Sequence, residues 1–139
     1  MVPELAVTDA AASLRFWVGL GGFEVVYDRP DEGFAYLRHG ESEVMIDQLG
    51  LGRDWVTGPL EYPLGRGVNF TVQVEALDPV LARLLEAEWP LFMAPESKVY
   101  RTGDETVTVR QFLVQDPDGY LVRFSENARG GAQVGFSAA

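Results

Sequence analysis

The sequence has no cysteine and a single histidine, His39. Disulfide frameworks, thiolate nucleophiles and Cys/His zinc clusters are therefore excluded, and the absence of thiols fits a cytoplasmic protein, the expected location. No apolar run approaches the roughly 18 to 20 residues of a membrane span, so no membrane partner is expected. A strand-like segment starts almost at the first residue, which argues against a cleavable leader. Basic residues are scarce: 11 Lys and Arg stand against 21 Asp and Glu, a formal net charge of −10. Such a surface repels nucleic acid and draws cations. A Gly-x-Ser-x-Gly elbow and a glycine-rich phosphate loop ending in Lys-Ser or Lys-Thr are missing as well.

What is present suits one globular domain of 139 residues, 47% apolar and 23% charged. Two stretches read as copies of one unit. At an offset of 67, Leu5, Val7, Leu14, Trp17 and Val18 fall on Val72, Val74, Leu81, Leu84 and Leu85. At an offset of 76, Tyr36, Leu37, Val44 and Ile46 fall on Phe112, Leu113, Tyr120 and Val122. The period is too long for a solenoid, so two halves of one domain are expected. Module one covers 1–49, a connection 50–67, module two 68–126, and a Gly- and Ala-rich tail, expected to be mobile, follows at 128–139.

In module one, a strand over Pro3–Val7 leads to a helix over Ala10–Leu20, capped by Thr8 or Asp9 and ended by Gly21-Gly22. Strands Phe23–Tyr27, Phe34–Arg38 and Glu43–Leu49 follow, with His39 in the last hairpin turn. The connection holds Trp55, Leu60 and Tyr62, large apolar groups that argue for an ordered loop. In module two, a strand over Val68–Glu75 precedes a helix started by Asp78-Pro79 and stopped by Trp89-Pro90, with Leu81, Leu84 and Leu85 facing inward. A short strand over Pro90–Met93 and a hairpin, Val107–Gln115 and Tyr120–Glu126, complete it across the turn Asp116-Pro117-Asp118-Gly119. Trp17, Trp89 and Phe112 are assigned to the core. The fold class is α+β: two paired βαβββ modules whose mixed sheets curl around a cavity, with helices on the outer face.

Strand alternation selects the residues that line this trough. With Leu5, Val7, Val44 and Ile46 packed inward, Glu4, Ala6, Met45, Asp47 and Leu49 point the other way. With Phe70, Val72, Val74, Val122 and Phe124 packed, Asn69, Thr71, Gln73 and Arg123 do the same.

The segments Pro3–Asp9, Ser13–Trp17, Gly22-Phe23 and Gln115–Tyr120 resemble the vicinal-oxygen-chelate superfamily over residues 2 to 126, and bleomycin-resistance proteins most of all. The resemblance implies a homodimer. It also implies four metal-ligand positions in the metal-dependent relatives, such as glyoxalase I, and here these are Val2, Asp47, Asn69 and Arg123. Only Asp47 is a good ligand, so no metal and no cofactor are expected. Arg123 and Asp47 hold equivalent positions in the two modules, suited either to pair or to orient a polar ligand. Bleomycin-type drugs carry a flat heteroaromatic part and a cationic end, which implies aromatic stacking beside acid. The expected ligand-binding residues are Glu4, Phe34, Asp47, Trp55, Tyr62, Asn69, Thr71 and Arg123. The expected function is stoichiometric capture of such a drug without turnover, so no enzyme. The alternatives are a metal-dependent lyase, isomerase or dioxygenase of the same superfamily, and a binding protein for another small molecule.

Overall fold

Alternating burial along β-strands such as 4–7 and 42–48 sets the architecture. In the computed structural model, which describes residues 1–127, two four-stranded sheets form, each on its own helix and neither closed on itself. The chain divides into two compact units, one of residues 1–69 with 115–121, the other of 70–114 with 122–127. The tail from 128 lies outside the described residues.

The first unit holds β1 (Glu4–Val7), α1 (Ala10–Leu14), β2 (Glu24–Arg29), β3 (Phe34–His39) and β4 (Ser42–Gln48), in the sheet order β1-β4-β3-β2. Parallel pairing sets Leu5 opposite Ile46 and Ala6 opposite Asp47, and the antiparallel β3–β4 hairpin sets Phe34 opposite Asp47. Leu5, Val7, Leu37, Val44 and Ile46 are all buried on the helix side. Asp9 is the cap of α1, its Oδ1 accepting from the amides of Ala11 and Ala12 at 3.0 and 3.3 Å. Thr8 has another use, donating its hydroxyl to Asp118 at 2.7 Å. The expected helix runs on as a wide π-turn over Arg15–Leu20, closed by the Gly21 amide on the Phe16 carbonyl at 2.7 Å. This turn buries Phe16 and Trp17, and Trp17 meets Phe23 edge to face at 5.2 Å. A Cβ on Gly21 would lie 2.8 Å from the Trp17 carbonyl oxygen, so only glycine fits without a shift. His39 ends β3 instead of lying in the turn: it packs against Phe23 and its Nδ1 bonds the Gly22 carbonyl at 3.0 Å.

The connection is anchored differently from the sequence expectation. Trp55, Leu60 and Tyr62 are exposed; the buried residue is Leu64, whose amide donates to the Asp118 carbonyl at 2.9 Å. The Asp116–Tyr120 turn is the other half of that anchor. Asp116 Oδ1 accepts from the amides of Asp118 and Tyr120, both at 2.9 Å, and its Oδ2 accepts from the Trp17 indole at 3.2 Å. Tyr120 donates its hydroxyl to the Ala6 carbonyl at 2.8 Å.

The second unit holds β5 (Asn69–Gln73), α2 (Asp78–Glu86), β6 (Leu91–Thr102), β7 (Glu105–Gln115) and β8 (Leu121–Asn127), in the sheet order β5-β8-β7-β6. Its core gathers Val72, Leu77, Val80, Leu84, Phe112, Val114, Val122 and Phe124. Three expectations are corrected here. Leu85 is 79% exposed, because the buried stripe of α2 runs through Leu77, Val80 and Leu84 instead. Asp78 does not cap α2 but pairs with Arg110; the free Leu77 amide is met by the Glu126 carboxylate at 2.7 Å. β6 is a twelve-residue edge strand, not a short one, with register shifts between Leu91, Met93 and Glu96. Trp89 is only half-buried. The internal repeat also slips in the middle: Leu37 and Phe112, 75 apart, are the fully buried pair, not Tyr36 and Phe112. Among the described residues no helix is long and apolar enough to cross a membrane.

Candidate functional site

On the open face of the first sheet, the predicted alternation holds. Glu4, Ala6, Asp47 and Leu49 line one pocket of about 50 Å³, together with Arg53, Asp54, Trp55 and Val56 of the connection. Glu4 and Asp47 come from neighbouring parallel strands, two register positions apart, and so share one face. The Glu4 carboxyl is held above the usual carboxylate range, first by its partial loss of water, then by the charge of Asp47 and a hydrogen bond with it, with Arg29 opposing.

The loop wall is built by its own contacts. The Gly50 amide donates to both oxygens of Asp54, at 3.2 and 3.3 Å, which closes a tight bend. Trp55 then stands 74% exposed with the Arg53 guanidinium 4.9 Å over its ring. Phe34 is adjacent to Asp47 across the hairpin but offers little surface, because it is 6% exposed beneath the Arg29 guanidinium at 4.0 Å. The aromatic surface on this face belongs to Tyr27, 49% exposed and stacked on Tyr36 at 5.2 Å.

In the second unit the structure brings Thr71 and Arg123 together, Nε donating to the threonine hydroxyl at 3.0 Å. Asn69 is exposed at the head of β5, and Tyr62 is exposed in the connection, outside the residues lining the Glu4–Asp47 pocket. Sequence reasoning missed Arg53 on that pocket, and Gln111, Glu96 and Tyr100 around Arg123. Gln111 is 4% exposed on the same side of β7 as Val107 and Val109. A glutamine in an otherwise valine-alternating run was the available signal.

The four positions that the resemblance assigns to metal ligands do not fit a divalent ion. Val2 has no donor atom, and Arg123 is a permanent cation fixed by its own hydrogen bonds. Among the described residues no three His, Cys, Asp or Glu side chains gather where an ion would need them.

A family model described as Glyoxalase/Bleomycin resistance protein/Dioxygenase superfamily matches residues 2–124. Three solved structures illustrate the likeness. A member of that superfamily from Vibrio splendidus 12B01 is 40% identical, with a TM-score of 0.42, over 90% of this chain and 95% of that one. TioX from Micromonospora sp. ML1 is 25% identical with a TM-score of 0.67, over 92% and 98%. Lactoylglutathione lyase from Agrobacterium tumefaciens is 18% identical with a TM-score of 0.60, over 91% of each chain, and shares the fold alone. No curated protein matches the sequence.

Proposed function

Given that the chain belongs to the glyoxalase/bleomycin resistance protein/dioxygenase superfamily, we propose that it captures a cationic aromatic small molecule of the bleomycin type and does not transform it. The observation that supports this reading is the pocket in which Glu4 and Asp47 share a face with exposed Trp55. A pocket of about 50 Å³ takes a cationic head and no more; the flat part of the ligand lies outside, on the indole. Capture needs affinity for the ligand and no preference for a transition state, so the misfit of the ligand positions to a metal is no obstacle. A homodimer in the cytoplasm is part of the same proposal.

One observation favours a second reading, proton-transfer catalysis. A carboxyl raised above its usual range beside a second carboxylate is what a general acid or base requires. Titration of bleomycin against tryptophan fluorescence separates the two. Capture predicts a saturable change at one drug per chain that is absent in Trp55→Phe and weakened about tenfold or more in Asp47→Asn. The drug is recovered intact after prolonged incubation. Absence of any change at micromolar protein and excess drug rejects capture, and recovery of an altered drug establishes catalysis.

A further inference from the structure

The open face of the second sheet carries a site of opposite sign. Arg123 on β8 is half-buried, and the side chains it bonds are neutral: Nε reaches the Thr71 hydroxyl at 3.0 Å and an Nη the Gln111 carbonyl oxygen at 3.5 Å. Among the described residues it forms no ion pair, unlike Arg29, Arg38 and Arg110. A guanidinium only donates, so the Gln111 side-chain oxygen must face it and the amide NH₂ must face away. That NH₂ donates to Tyr100 Oη at 2.8 Å and to Glu96 at 3.1 Å, across the β6–β7 ladder. The donor atoms of buried Gln111 are thereby used, and the direction of every bond follows. Tyr100 accepts, which leaves its hydroxyl proton to donate; Arg123 keeps three of its five N–H groups.

We infer that Arg123 and Tyr100 form a binding site for the carboxylate of a small organic acid, preset by Gln111. A planar fork with free N–H groups matches the two oxygens of a carboxylate, and the phenol adds a third donor. Glu96, joined to the same amide, offsets part of the positive charge, so a monoanion suits the site better than a phosphate dianion. The inference does not rest on the capture reading, since it concerns different residues and a ligand group of opposite charge.

Sodium benzoate is the probe, followed by the Nε–H resonance of Arg123 in the whole protein. Benzoate moves this resonance saturably, benzamide does not, and inorganic phosphate binds more weakly. Arg123→Gln, which lacks that resonance and is followed by calorimetry, weakens benzoate about tenfold or more, and Tyr100→Phe, which leaves a half-buried ring in place, about threefold. Should Arg123→Gln fail to fold by circular dichroism, Tyr100→Phe decides alone. No saturable shift, equal binding of benzamide, tighter binding of phosphate, or unchanged affinity in Tyr100→Phe each overturns the assignment. Asp47→Asn leaves the benzoate response intact while weakening that to bleomycin about tenfold or more, so the two readings fail separately.

Discussion

Asp116 shows how much one side chain of this fold is asked to do. It is 2% exposed, accepts three N–H groups from Trp17, Asp118 and Tyr120, and yet its carboxyl is pushed up to about 6, because burial outweighs those bonds. A raised acid binds its proton more tightly folded than unfolded. Its stabilisation is complete below the ordinary value of 3.8 and is lost as the pH rises through about 6, a span on the order of 3 kcal/mol. The carboxyl carbon of Asp116 and the indole N–H of Trp17 are therefore expected to titrate together, with a midpoint near 6, in NMR spectra taken from pH 3 to 8. A midpoint near 3.8 would show the three donors cancelling the effect of burial. Much at this scale was legible: Glu4 and Asp47 face the predicted way because strand alternation leaves no choice once Leu5 and Ile46 are packed. Gln111 was not, since a single polar residue among valines gives no hint of which three partners, Glu96, Tyr100 and Arg123, surround it.

The elements were legible where propensity and burial agree, and missed where an edge is involved. β6 contains Pro95 and lacks alternation, because an edge strand can present a residue without N–H to solvent and has no second neighbour to satisfy. α2 ends in a way the sequence hides. Glu88 sits at a φ of 56°, with the Trp89 amide on the Leu84 carbonyl and the Glu88 amide on the Leu85 carbonyl, at 2.9 and 3.0 Å. This closure normally takes glycine, since a Cβ is strained at positive φ. Glu88→Gly is thus expected to stabilise the protein by about 1 kcal/mol and raise its melting temperature by several degrees. A lower melting temperature would mean that the glutamate side chain contributes more than the strain costs.

At the scale of the molecule, the net charge of −10 acts on both proposed ligands, in opposite senses. Raising salt from about 0.02 to about 0.5 M shortens the screening length from over 20 Å to roughly 4 Å. Bleomycin affinity is expected to fall several-fold over that range, while benzoate affinity changes far less, because screening relieves its repulsion by the acidic surface as it weakens the pull of Arg123. Parallel calorimetric titrations at the two salt concentrations measure this; equal losses would show that only local charges matter. The two-module plan itself was readable from the repeat of Leu5 and Val7 in Val72 and Val74, whose burial the structure reproduces. Of the loop wall of the pocket, Trp55 was among the expected ligand-binding residues but Arg53 was not, since it is placed by a bend and not by any periodicity.

The Glu126 carboxylate that meets the Leu77 amide is supplied from 49 positions downstream. Thr8 waits still longer, for Asp118, 110 positions away. Both helices therefore emerge from the ribosome with part of their fastening not yet synthesised. The last turn and strand complete them as they arrive, so a transcript cut short by even a dozen codons before residue 127 would release a chain whose second helix starts on an unmet amide.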